Sequence, residues 1–378
     1  MASVVRIVAL LVGVGLSLAV LLSAVRTVVL PRSEVVALTR AVFLGLRRVF
    51  DGIARDKRSY EERDRVMALY GPVGLMALAA MWALLVIGGF SLVFWGLGVD
   101  PFRQAVVASG SSFTTLGFAA PHSVPAAAAS VAEAIVGLSL VALLISYLPS
   151  IYAAFQRREV LVSLLETRAG NPPTAVNILV RHHRIGMLEK AQDLFATWEV
   201  WFADIEESHT SQGALPFFRS PRPHRSWVTA AGAVLDAAAL SLAVLDVREP
   251  QPEPALCLRA GYLSLRHIAG FFGMEHDDDP APDGPISIVR DEFDAACREM
   301  AAAGVPLKAD LDQAWADFRG WRVNYDMVLV TLAGFFMAPY APWSSDRSIR
   351  FRVQSRRVSQ VSGAMRRTVS RLPFVGRG

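Results

Sequence analysis

Residues 109–119 read Ser-Gly-Ser-Ser-Phe-Thr-Thr-Leu-Gly-Phe-Ala. They lie between two apolar stretches of membrane length, and the chemistry open to them is that of the backbone. A cation entering a narrow passage must lose its water. Carbonyl oxygens replace that shell only where several point inward at successive levels. Such a segment needs alternating backbone conformations, which Gly117 tolerates because it has no Cβ. It also needs its side chains turned off the axis and a short helix to support it. Thr114, Thr115, Leu116, Gly117 and Phe118 are the candidate carbonyl donors.

The other residues with chemical potential do not converge. His276-Asp277-Asp278-Asp279 with Asp283-Gly284 is an acidic cluster on a proline-rich loop. Hard cations want several carboxylates, but the spacing is not that of a twelve-residue calcium loop, so a solvated loop is expected. His182, His183 and His267 lie on helical patterns without partners. Cys257 and Cys297 are far apart and read as reduced, buried thiols. There is no Ser-His-Asp set, no paired carboxylates, no phosphate loop and no zinc spacing, so no enzyme, cofactor or metal site is expected.

The elements that must position the loop follow from composition. Of 378 residues 53% are hydrophobic and 19% charged, against roughly a quarter charged in an ordinary soluble domain. Residues 7–30 are apolar except for Arg26, long enough at about 1.5 Å per residue to cross a ~30 Å hydrocarbon core. The run is too long for a signal peptide and lacks a small-x-small cleavage site, so it reads as a retained span. Residues 35–65 form a basic helical segment, either lying along the inner membrane surface or connecting in solvent. Residues 71–98 are a second span without a charge, and 126–155 a third, ending at Gln156-Arg157-Arg158. Between them Asp100 and Pro101 signal the start of a short helix over about 101–112, with Asp100 as cap. Nine lysines and arginines in the 32–65 connection, against Arg103 alone in 99–125, place the first inside and the second outside. The N-terminus is then outside and everything after Arg157 is cytoplasmic.

Helical patterns over 159–168, 172–207, 226–246, 254–273, 288–303 and 308–338 predict a helical cytoplasmic domain over 159–345. Residues 327–342 are apolar but shorter than the ~20 a span needs, and read as a core helix. Nine arginines and no acid fall in residues 347–378, and the rest of the chain has an excess of acids. A disordered tail over 346–378 with affinity for anionic lipid, at about 1 kcal/mol per basic residue near a surface, fits better than nucleic-acid binding. The fold class expected is an all-α membrane protein of three transmembrane helices, a re-entrant loop and a helical cytoplasmic domain. Its segments are 1–66, 67–158, 159–345 and 346–378.

The run Thr-Thr-Leu-Gly-Phe, set behind a half-length helix and between two spans, resembles the selectivity filter of the potassium-channel superfamily. The resemblance covers residues 70–158. It implies that the Thr115 hydroxyl and carbonyl make the lowest ion site, with Leu116, Gly117 and Phe118 above and the Phe118 ring packed behind. It implies that the short helix aims its carboxyl end at the ions, that the third span lines the pore, and that four copies close the ring. Gly137 and Pro149 are the candidate bending points of that span. Glu133 is its one acid, a functional candidate or a charge at the outer mouth. Ala119 stands where the family has a second glycine, Ala120 where an aspartate usually follows, and Phe118 where tyrosine is common. The expectation is a potassium-conducting homotetramer in the plasma membrane of a bacterium. Its alternative is a non-conducting scaffold or sensor that keeps the pore architecture.

Overall fold

In hydrocarbon every backbone N–H and C=O must find its partner within the segment, and stretches rich in alanine, leucine and valine do so as helices. The computed structural model describes residues 2–29, 37–55, 57, 59–119, 121–188, 191–246 and 252–348. Among these the chain is all-helical, with no strand beyond an isolated bridge between Leu245 and Leu307. The expectations for Ala120 and for the tail from residue 349 onward fall outside the described residues.

The membrane-length helices are α1 (Ala2–Val28), α4 (Tyr70–Gly96) and α6 (Val124–Ala169). Between α1 and α4 the basic segment forms α2 (Ala37–Arg55) and α3 (Tyr60–Ala68), two helices rather than one. Ser59 caps α3 by accepting the Glu62 N–H at 3.1 Å. Helix α1 crosses α4 where small residues let the backbones approach: a Cβ on Gly13 would lie 2.4 Å from the Gly89 carbonyl oxygen. The buried face of α2, Phe43, Arg47, Phe50 and Ala54, packs largely on α4. The Tyr70 hydroxyl donates to the Phe43 carbonyl at 2.9 Å. The short helix is α5 (Phe102–Phe113), wedged between α4 and α6. Asp100 does not cap it, because its carboxylate is taken by Arg6 of α1 at 2.5 Å, and the cap position is Pro101.

Helix α6 does not stop at Arg157 as the basic sequence suggested. It is one helix of 46 residues in all, passing through Pro149 and continuing past Arg157 to Ala169, where it meets the remaining helices. These are α7 (Ala175–Arg184), α8 (Ala191–Ser211), α9 (Trp227–Val244), α10 (Pro252–Phe271), α11 (Arg290–Ala302), α12 (Leu311–Arg322) and α13 (Asp326–Phe335). The 172–207 and 308–338 patterns each divide in two, the first at Gly186 with φ +67°. Residues 327–342 supply α13, whose Val328, Leu329 and Leu332 are buried.

Among the described residues four helices are long and apolar enough to cross a membrane: α1, α4 with α3 leading into it, α6 and α9. Helix α9 differs from the rest, since it is buried on every side with α7, α10, α12 and α13 around it. Its one acid, Asp236, meets the guanidinium of Arg322 and the Tyr325 hydroxyl, and Arg322 also binds Asp326 at 2.7 Å. A buried charge survives only when partnered in this way.

The membrane-length bundle and the later helices join through arginines that cap backbone carbonyls. Arg47 of α2 donates to the Phe335 carbonyl at 3.0 Å. Arg219 donates to the carbonyls of Phe336 (2.8 Å) and Met337 (3.2 Å), and pairs with Asp64 of α3. Arg158, fully buried on α6, donates to the carbonyls of Phe218 (2.7 Å) and Leu215 (3.3 Å). Phe217 packs against both hydrophobic cores, stacked on Phe43 with centroids 6.1 Å apart on one side and edge-to-face with Phe272 at 5.5 Å on the other.

Candidate functional site

The loop begins as the end of α5. Thr114 is the C-cap, and Thr115 follows with φ +58°. The Thr115 N–H reaches the Ser112 carbonyl and the Leu116 N–H reaches the Ser111 carbonyl, each at 3.0 Å. This pair of bonds is the Schellman closure of a helix, whose left-handed position is normally glycine. Here a β-branched residue occupies it, a backbone outlier. Gly117 is left-handed again, at φ +71°, while Leu116 and Phe118 are not. Left-handed backbone thus recurs at alternate positions, and the Schellman closure accounts only for the first of the two.

The alternation stops at Ala119, whose φ is not positive. Its Cβ disfavours the left-handed region by about 1–2 kcal/mol. The Ala119 N–H is instead donated to the Ser111 hydroxyl at 3.1 Å, which ties the outer end of the loop back to α5. Ser111 is buried, and so is Ser109 one half-turn earlier.

The side chains behave differently from what the resemblance implied. Phe118 does not pack behind the loop of its own chain: 66% of it is exposed, as is 71% of Leu116. The Thr115 hydroxyl turns back to the Thr114 carbonyl at 2.7 Å, and the Thr114 hydroxyl to the Gly110 carbonyl at 2.6 Å.

Two contacts seat α5 on α6. A Cβ on Gly137 would lie 2.6 Å from the Phe113 carbonyl oxygen, so Gly137 marks a close approach of the two helices. One turn earlier on both helices, Ser109 Oγ lies 2.6 Å from Glu133 Oε1 and 2.9 Å from the Ile87 carbonyl oxygen of α4. Glu133 is wholly buried rather than a charge open to solvent at an outer mouth. Its Oε2, also buried, has no hydrogen-bond partner within the described chain. Sequence reading found Glu133 but not its partners. Ser109 and Ser111 gave no signal of their own, since each is defined by a residue that folding brings to it.

The remaining candidates stay apart from the loop. His182 Nδ1 is bound to the Ile178 carbonyl at 2.7 Å, and His267 to Glu206 at 2.6 Å. Asp277 accepts the Asp279 N–H at 3.0 Å, closing its own turn. No group of three or more His, Cys, Asp or Glu among the described residues is arranged to hold a metal ion. Burial pushes the Cys297 thiol up to about 11.

Comparison with protein-family models, with curated proteins and with solved structures gave no match.

Proposed function

We propose that the chain is a subunit of a cation channel of the potassium-channel type, in which the loop 114–118 lines the narrowest part of the path with backbone carbonyls. The observation that carries this reading is the repeated left-handed backbone at Thr115 and Gly117. Strain of this kind persists only where the surroundings hold it, and it gathers at functional sites. One loop supplies one side of a passage, and its Leu116 and Phe118 side chains stand exposed on a single chain. A ring of four copies covers them and closes the path. Potassium ions are the only cargo assigned, and no catalytic step belongs to this reading.

Helices α1, α4 and α6 cross the plasma membrane in this proposal, with α5 and its loop re-entrant from the outer face. The buried α9 belongs to the cytoplasmic domain. Helix α6 lines the pore below the loop and continues, unbroken, into that domain, which therefore tunes opening. Lipids surround the bundle, and the arginine-rich tail meets anionic headgroups.

Reconstituted into liposomes, the purified oligomer is expected to pass potassium in a barium-sensitive manner. Thr115→Ala and Gly117→Ala are each expected to abolish that flux while leaving the oligomer intact. A verified tetramer that carries no flux would overturn the reading in favour of a non-conducting scaffold.

A further inference from the structure

A loop that presents carbonyls works only if its height and tilt are fixed from behind. We propose that Glu133 is a positioning residue for this loop, its carboxyl clamping α5 to α6 through the Ser109 hydroxyl. The inference rests on the pore reading above.

Ser109, itself fully buried, is where three helices meet. It belongs to α5, lies 2.9 Å from the Ile87 carbonyl of α4 and 2.6 Å from the Glu133 carboxyl of α6. Four residues on, the Phe113 carbonyl sits over Gly137. The pairs 109/133 and 113/137 are each one turn apart on both helices. The two helices therefore run in the same direction along this contact, with the loop emerging at its end. The Schellman closure at Thr115 and the tie from Ser111 to Ala119 both hang from this same short helix. Any slide or rotation of α5 thus moves every carbonyl in the row.

Packing alone does not account for an acid here. A buried carboxyl in an apolar helix is costly unless hydrogen-bonded, and an alanine or leucine would fill such a place more cheaply. What the carboxyl adds is a short, directional bond to α5. A serine hydroxyl has one proton and here two oxygen neighbours. Glutamine at 133 offers an amide that can either donate or accept a hydrogen bond, so it can keep the clamp without the acid.

The test uses the full-length chain in liposomes, with Glu133→Ala, Glu133→Gln, Ser109→Ala and the Ser109→Ala/Glu133→Ala pair. Each is first shown to elute as the wild-type oligomer. The readout is the ratio of rubidium to potassium permeability, which does not change when merely fewer channels are folded. Ser109→Ala and Glu133→Ala are each expected to change that ratio severalfold. The double variant should be no worse than either single one, because both remove the same bond. Glu133→Gln should restore the wild-type ratio. Unchanged ratios in both single variants would overturn the inference, as would additive effects or a Glu133→Gln variant as altered as Glu133→Ala. Should Glu133→Ala fail to assemble, Ser109→Ala and Glu133→Gln decide by the same criteria. A wild-type oligomer without flux would instead remove the pore reading itself, a result distinct from any of these.

Discussion

At Thr115 the chain puts a β-branched residue where glycine is usual, at φ +58°, and two residues later it uses glycine for the same turn of the backbone. No third repeat follows at Ala119, and the Ser111 hydroxyl holds that N–H instead. Ala119→Gly is therefore expected to keep flux and to raise the potassium-over-sodium permeability ratio, read from reversal potentials. An unchanged ratio would show that the outer mouth sets no preference. His209 gives a second residue-scale prediction. It is buried beside Arg158, at 3.3 Å, and against the Trp227 ring. Burial, with the Arg158 charge as the second cause, holds its imidazole well below the usual range, so it is neutral in the folded chain. The unfolded chain takes up that proton below about pH 6.5. Stability contributed by neutral His209 is thus complete above that pH and declines as pH falls below it. Thermal unfolding followed by tryptophan fluorescence should show a melting temperature that drops between about pH 6.5 and 5, and a shallower drop in His209→Gln. The same slope in both would exclude this site as the cause. A turned segment over 114–118 was legible, because a short helix ends there and Gly117 follows it. Ser109, Ser111 and Arg158 were not, because their roles are set by groups 24, eight and 57 or more positions away.

Among the elements, α6 departs most from what its sequence announced. At about 1.5 Å per residue its 46 residues reach roughly 70 Å, more than twice a hydrocarbon core. A run of Gln156-Arg157-Arg158 reads as the end of a span, and it is the end of the apolar stretch but not of the helix. Both arginines find partners on the later helices: Arg157 pairs with Asp204 at 3.0 Å, and Arg158 caps the carbonyls around the 215–217 turn. Removing Arg158 leaves buried carbonyls unsatisfied, at about 1–3 kcal/mol each. Arg158→Ala is expected to lower the melting temperature of the purified protein clearly. Arg158→Lys should recover little of it, since an ammonium cannot fork between Phe218 and Leu215. Full recovery by lysine would show that only charge matters there. Other boundaries missed for similar reasons. The cap expected at Asp100 was lost to Arg6, 94 residues away, and no local rule foresees such a competitor.

Across the whole molecule the sequence organisation was legible as apolar runs, a basic connection and a helical remainder, because length, hydropathy and helical spacing are local properties that set simple rules for each segment. The apolar α9 shows where such rules stop. It meets the length and composition of a span, yet its burial on every side comes from helices that no window of sequence contains. The joint between the two halves was likewise invisible. Arg47, Arg158 and Arg219 bind backbone carbonyls, which have no sequence signature, and Phe217 plugs into both cores. These contacts give the later helices a hold on α2 and α6. The central claim is that four copies of the loop surround an ion path. It is tested most directly by a structure of the assembled oligomer in rubidium, whose anomalous scattering marks the ions. The account predicts fourfold symmetry, with anomalous peaks on the axis at the level of Thr115 to Phe118. An oligomer of another symmetry, or a fourfold axis without ions at that level, would contradict it.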